Sequence, residues 1–116
     1  MIALEKIHAR YVYGRRISVL ANAIEVLIPP NTKLLDLGCG DGLLGHHILG
    51  QREDIMLCGA EVLLRSKTFI PAVSFDGWGL PFEAEEFDVV MMNDVLHHAQ
   101  DLPAILLEAA RISKTY

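Results

Sequence analysis

Three glycines on alternate residues, Gly38, Gly40 and Gly42, follow directly on the apolar run Leu34-Leu35-Asp36-Leu37. Glycine has no Cβ, so such a turn can take positive φ and bring its backbone close to a ligand. Leu43, Leu44, Ile48 and Leu49 then recur at helical spacing as far as Gly50, a candidate left-handed cap. A strand that passes through a glycine turn into a helix is the opening of a βαβ unit with a ligand position at the turn.

The rest of the chain repeats that alternation. Ile55–Ala60 reads as a second buried strand followed by Glu61, and Phe69–Phe75 as a third ending at Asp76. A loop with Gly77, Gly79 and Pro81 leads to a fourth strand, Phe87–Met92, with Asn93 and Asp94 at its carboxyl end. Before the glycine turn, Ile17, Leu20, Ala21, Ile24, Leu27 and Ile28 have helical spacing, which Pro29-Pro30 ends. After the fourth strand, Asp101 can cap a helix that tolerates Pro103 in its first turn and places Leu102, Ile105, Leu106, Ala109 and Ile112 on one face. Near-continuous apolar strands alternating with helices indicate an α/β fold, with a doubly wound parallel sheet covered on both faces.

Composition narrows the partners. With 116 residues there is room for one domain, and 52% apolar content excludes disorder as the main state. Residues 1–33 carry five basic and two acidic side chains, yet the whole chain has a net charge of −5, which disfavours nucleic acid as a partner. Two cysteines, Cys39 and Cys58, are too few for a disulfide framework and read as reduced thiols. No apolar stretch approaches the ~18 residues a membrane span needs, and Glu5, Lys6 and His8 interrupt any secretory pattern. These features point to a cytoplasmic location and no membrane partner.

Two ligand types compete for the turn. Gly40-x-Gly42-x-x-Gly45, with Glu61 about 20 residues on, formally matches the dinucleotide fingerprint. That register starts late after the strand, however, and Asp36 and Asp41 would face a pyrophosphate at close range. An acid there suits a ligand carrying an ammonium and a sulfonium, so the charges favour a cationic nucleoside over NAD.

The segment LLDLGCGDG, Leu34–Gly42, resembles the first motif of the class I S-adenosylmethionine-dependent methyltransferases, and within them the broad methyltransferase type 11 group. The resemblance runs over about residues 15–113. Glu61 matches the family acid on the ribose hydroxyls, and Asp76 the acid that accepts the adenine amino group. LPFEAEEFD, Leu80–Asp88, resembles the loop into the fourth strand, and Asn93–His98 the stretch lining the methionine side of the cofactor. The resemblance therefore implies S-adenosylmethionine as cofactor, bound by Asp36, Gly38, Cys39, Gly40, Gly42, Glu61, Asp76, Gly77 and Asn93, and methyl transfer to an acceptor, foremost a small molecule. It names no catalytic residue. His97 and His98 are weak candidates for a base or an acceptor contact.

Each residue has a plainer role open to it. Glu61 can be a solvated strand-end acid, and Asp76 can cap its own turn. Asp36 can brace the amides of the turn, while Asp41 can face solvent or cap the following helix. His46 and His47 suit partly exposed helix positions, and Met91 and Met92 the strand core. No metal-ligand spacing is present. The family's strand order, 3-2-1-4-5-7-6, implies for this chain a partial Rossmann-like sheet of about four strands, order 3-2-1-4, truncated after the fourth strand. Residues 1–116 then form a single partial domain with 1–30 as an N-terminal helical segment. The fourth strand becomes an edge that a homo-oligomer or partner chain would cover. Two further functions stay open: a non-catalytic cofactor-binding or interaction subunit, and an NAD-dependent oxidoreductase.

Overall fold

The computed structural model describes residues 2–93 and 101–114, with side chains from residue 12 onward. Helix α1, Ile2–Glu25, precedes strand β1, Lys33–Leu37, which the glycine turn links to α2, Leu43–Gln51. Strands β2, Met56–Glu61, β3, Ala72–Ser74, and β4, Val89–Met92, follow, and helix α3, Leu102–Ile112, comes last. All four strands are parallel, in the order β3-β2-β1-β4, with Leu35 level with Cys58 on one side and Val90 on the other. This is the expected α/β architecture and strand order.

Strand alternation divides the interior in two. Leu34 points into a core built with Ala21, Ile28, Leu44, Ile48, Leu57 and Ile70, under α1 and α2. Leu35 and Leu37 point to the opposite face, onto Ala60, Leu80, Phe87, Ile105, Ala109 and Ile112, under α3. A side-chain period of two sends neighbouring residues to opposite faces, so Asp36 lies on the same side as Leu34.

Four local departures from the sequence reading have clear causes. Helix α1 lies within the 1–30 helical segment read from the sequence but ends at Glu25, short of Pro29. Gly50 is not a left-handed cap, because α2 continues to Gln51 and leaves through an extended Arg52 at φ −136°. The Arg52 guanidinium holds that exit: it donates to the carbonyls of Glu25, Ile28 and Pro29 at 3.1 Å each and meets Asp54 at 2.7 Å. Strand β3 is only three residues long, since Pro71 has no N–H to donate and Phe69 bonds instead to the Asp41 carbonyl at 2.8 Å. Phe87 lies outside β4 proper, bridging in parallel to Ser113 on the side away from β1.

Asp101 accepts the Ala104 N–H at 3.1 Å and caps α3 as anticipated, with proline in the first turn. Among the described residues no helix is long and apolar enough to cross a membrane.

Close packing under the glycine turn yields a stability test. A Cβ on Gly59 of β2 would stand 2.5 Å from Cys39 Sγ and 2.8 Å from Cys39 Cβ, too close without backbone movement. Gly59→Ala should therefore lower the unfolding free energy by about 1–3 kcal/mol, read as a lower urea midpoint. An unchanged midpoint would contradict the packing described.

Candidate functional site

The turn after β1 takes its shape from β2. The Ala60 carbonyl accepts both the Gly38 N–H at 2.8 Å and the Cys39 N–H at 3.3 Å, which turns the chain sharply at the end of the strand pair. Gly38, Gly40 and Gly42 all have positive φ, at 78°, 59° and 81°. Gly40 and Gly42 need glycine for different reasons. A Cβ on Gly40 would meet nothing within 4 Å, so its backbone faces open space; one on Gly42 would stand 2.6 Å from Ile70 Cγ1. The first leaves room for a ligand, and the second lets the turn pack on the core.

Glu61, at the end of β2, accepts the Gly40 N–H on Oε2 at 2.9 Å. Asp41, one residue before the N-cap Gly42 of α2, accepts the Leu43 N–H on Oδ1 at 3.0 Å, and its Oδ2 lies 3.5 Å from Arg65. The Tyr13 hydroxyl donates to the same Oδ1 at 3.4 Å.

These groups border a cleft of about 760 Å³ at the carboxyl ends of the strands. Of the residues singled out from the sequence, Asp36, Gly38, Cys39, Gly40, Glu61 and Asn93 line it together. Gly42, Asp76 and Gly77 do not. Asp76 instead accepts the Trp78 and Gly79 amides on Oδ1 at 2.8 and 3.0 Å, which hold its carboxyl below the usual range. His97 and His98 lie outside the described residues. His46 is exposed and its ring packs on Phe69.

Asp36 is the unusual group. It is 1% exposed, yet Oδ1 has no hydrogen-bond partner among the described residues. The turn amides it could have braced go to Ala60 and Glu61 instead. Burial, and then the nearby Glu61 carboxylate, push its carboxyl from 3.8 up to about 7. Burial also pushes the Cys39 thiol up to about 12, with Asp36 and Glu61 adding to the effect, so this thiol is no nucleophile at neutral pH. Cys58 is raised too, chiefly by burial. No group of three potential metal ligands occurs among the described residues.

Several lining residues carry no motif. Tyr13 and Ile17 reach the cleft from one face of α1, four residues apart. Val62 and Leu63 follow Glu61, and Leu63 is 83% exposed. Apolar side chains placed just past the end of a strand were the available signal. Phe75, immediately before Asp76, also lines the cleft.

Comparison with known proteins adds the family. A family model described as a methyltransferase domain matches residues 6–115. The biotin biosynthesis bifunctional protein BioHC of Saccharophagus degradans is 31% identical over 105 residues, which span 82% of this chain and 19% of that protein. The human mitochondrial arginine-hydroxylase NDUFAF5 is 35% identical over 94 residues, spanning 75% of this chain and 27% of that one. A crystal structure from Thermotoga maritima, described as an S-adenosylmethionine-dependent methyltransferase and possible histamine N-methyltransferase, superposes with a TM-score of 0.71 at 23% identity; the match covers 97% of this chain and 54% of that one. The chain thus spans about half of that structure and much less of the curated relatives.

The Asp36 carboxyl makes stability depend on pH with a definite sign. Its proton is held more tightly in the folded chain than in the unfolded one, so the contribution is present in full below about pH 4 and is lost as pH rises through about 7. The span corresponds to roughly 4 kcal/mol. Asp36→Asn should flatten this dependence and stabilise the ligand-free protein at pH 8 by roughly 2 kcal/mol, the amide's own unmet hydrogen bonds offsetting part of the gain. Urea midpoints at pH 5 and pH 8 for both proteins provide the check, and parallel pH profiles would refute the assignment.

Proposed function

Because the chain belongs to the methyltransferase domain family, we propose that its cleft binds S-adenosylmethionine and serves methyl transfer to a small-molecule acceptor. The observation that carries this reading is the buried Asp36 Oδ1, which has no hydrogen-bond partner among the described residues, beside Glu61. A carboxylate pair of that kind suits a positively charged ligand. A phosphate brought within about 4 Å of one carboxylate would be repelled by about 4 kcal/mol at an effective dielectric of about 20, which argues against NAD.

The residues present fit the cofactor. Asp36 would take its ammonium group, and the turn at Gly38 and Gly40, open at Gly40, would lie along its methionine and ribose parts. Glu61 would accept the ribose hydroxyls with the capacity left beyond the Gly40 amide. Asp76 and Gly77 are assigned to the adenine end and Asn93 to the methionine side. When bound, the cofactor supplies a methyl group on a positively charged sulfur whose departure as a neutral thioether needs no acid. The chain's own work is to orient and to exclude water: Ile17, Phe75 and Ile105 supply apolar walls, and the tethered turn holds the backbone in place. A base is required only for acceptors with a high pKa, and His97 and His98, a few residues after Asn93, are the candidates. The two thiols suit a reducing compartment, and we place the protein in the cytoplasm. The β4 edge, which pairs with Ser113 at Phe87, is where a further strand or partner chain would add.

A second reading is favoured by the human relative, which is named a hydroxylase although it shares this domain. On that reading the cleft binds the same nucleoside but does other chemistry.

Calorimetry with S-adenosylhomocysteine and with NADH should show binding of the first only. Gly40→Val forces a β-branched residue into φ 59°, and Glu61→Ala removes both the turn's tether and the ribose acceptor. Each should weaken S-adenosylhomocysteine at least tenfold. Tighter NADH binding, or unchanged affinity in both variants, would reject the proposal. Binding of S-adenosylmethionine without demethylation in the presence of any acceptor tested would favour the second reading.

A further inference from the structure

The cleft does not end at α1. Beyond Tyr13, Ile17 and Asn93, which border both spaces, it meets a second groove of about 750 Å³. One wall of this groove is a stripe of α1 carrying Val12, Arg15, Arg16, Val19 and Leu20. The spacing of these residues places them on a single side of a helix.

The two spaces differ in charge. Among the described residues the first is lined by three acids, Asp36, Asp41 and Glu61, and one guanidinium, that of Arg65, which is already 3.5 Å from Asp41. The described lining of the second has two guanidiniums and no carboxylate. Arg15 and Arg16 are exposed, and neither has an ion-pair or hydrogen-bond partner among the described residues. In a chain of net charge −5, this concentrates positive potential on one side of the Tyr13–Asn93 boundary and negative potential on the other. Isolated surface arginines are ordinarily just hydrated. Here the pair has no ionic partner among the described residues, lines a groove that shares Tyr13, Ile17 and Asn93 with the cleft, and has Val12 and Val19 beside it, 39% and 61% exposed.

We propose that this groove seats the methyl acceptor, and that the acceptor is a small anionic molecule. Arg15 and Arg16 hold its carboxylate or phosphate, and Val12, Val19 and Leu20 receive its apolar body. The inference rests on the reading of the first cleft as the S-adenosylmethionine site. It follows from charge: the cationic donor is drawn to the acidic side and the anionic acceptor to the basic side, so opposite fields sort the two ligands at their common boundary. Guanidinium forks match planar carboxylate and phosphate oxygens in a way an ammonium does not.

The test uses the whole chain with three probes of similar body and different charge: benzoate, phenyl phosphate and benzylamine. Each is titrated by calorimetry into the protein, free and loaded with S-adenosylhomocysteine. Benzoate or phenyl phosphate should bind the loaded protein, the tighter of the two identifying the acceptor as a carboxylate or a phosphate, and benzylamine should bind at least tenfold more weakly. The double variant Arg15→Gln/Arg16→Gln should lose at least tenfold in anion affinity while S-adenosylhomocysteine affinity stays within twofold. Arg15→Lys/Arg16→Lys should keep an intermediate affinity. No anion binding, equal binding to the Gln variant, or benzylamine binding as well as benzoate would overturn the proposal. So would a short ribo-oligonucleotide that displaces both anions. Arginine-dependent anion binding to a protein that fails to bind S-adenosylhomocysteine would sink the cofactor reading while leaving the groove an anion site.

Discussion

The Ala60 carbonyl oxygen is the pivot of the molecule. By accepting the amides of both Gly38 and Cys39, it ends the β1·β2 ladder and turns the chain at the same point. Positive φ at Gly38 and Gly40 follows from that capture, and so does the direction in which the backbone opens. Glu61, the next residue after Ala60, then reaches back to the Gly40 amide. One strand end thus shapes the turn through its main chain and tethers it through its side chain. The parallel register, Leu37 level with Ala60, makes both possible.

The same geometry has a cost, located at Asp36. Strand alternation carries this residue to the face of the α1/α2 core, where Leu34 is wholly buried, and among the described residues no group satisfies its Oδ1. A core built for stability alone would place an apolar side chain there. An unmet polar group in the lining of a cleft is where the local rules of folding are broken, and on the proposed reading it is the place the cofactor's ammonium would fill. The neighbouring cysteine is held differently: its thiol, raised by burial and by the same acids, is packed tightly against Gly59.

Much of this was legible in the chain itself. The apolar runs of β1, β2 and β4 and the 3.6-residue spacing of α3 identify their own elements, and the LLDLGCGDG segment locates the turn and its acids. What escaped did so for physical reasons. Helical periodicity cannot tell a side chain that enters a core from one that borders a cavity, so Tyr13 and Ile17 looked like ordinary helix positions. Strand β3 is short because Pro71 withholds a donor, a local effect that an apolar run conceals. Gly50 invited a cap, but the exit of α2 is decided by Arg52 and its carbonyl partners some 24 residues away in sequence. Asp76 keeps the place of an adenine contact, and its Oδ1 also takes the loop's own amides, a second engagement that spacing alone does not show.

Arg52 has a further consequence. By gathering the carbonyls of Glu25, Ile28 and Pro29, it pins the trailing end of α1 to the exit of α2. The helix is therefore a beam tied at its last residue as well as along the face that Ile17, Leu20, Ala21 and Ile24 pack into the core. Tyr13 and Ile17 sit part-way along the beam, where both cavities share a border. With the helix fixed in this way, both spaces have one wall already in place, so less ordering is left to occur when a ligand enters.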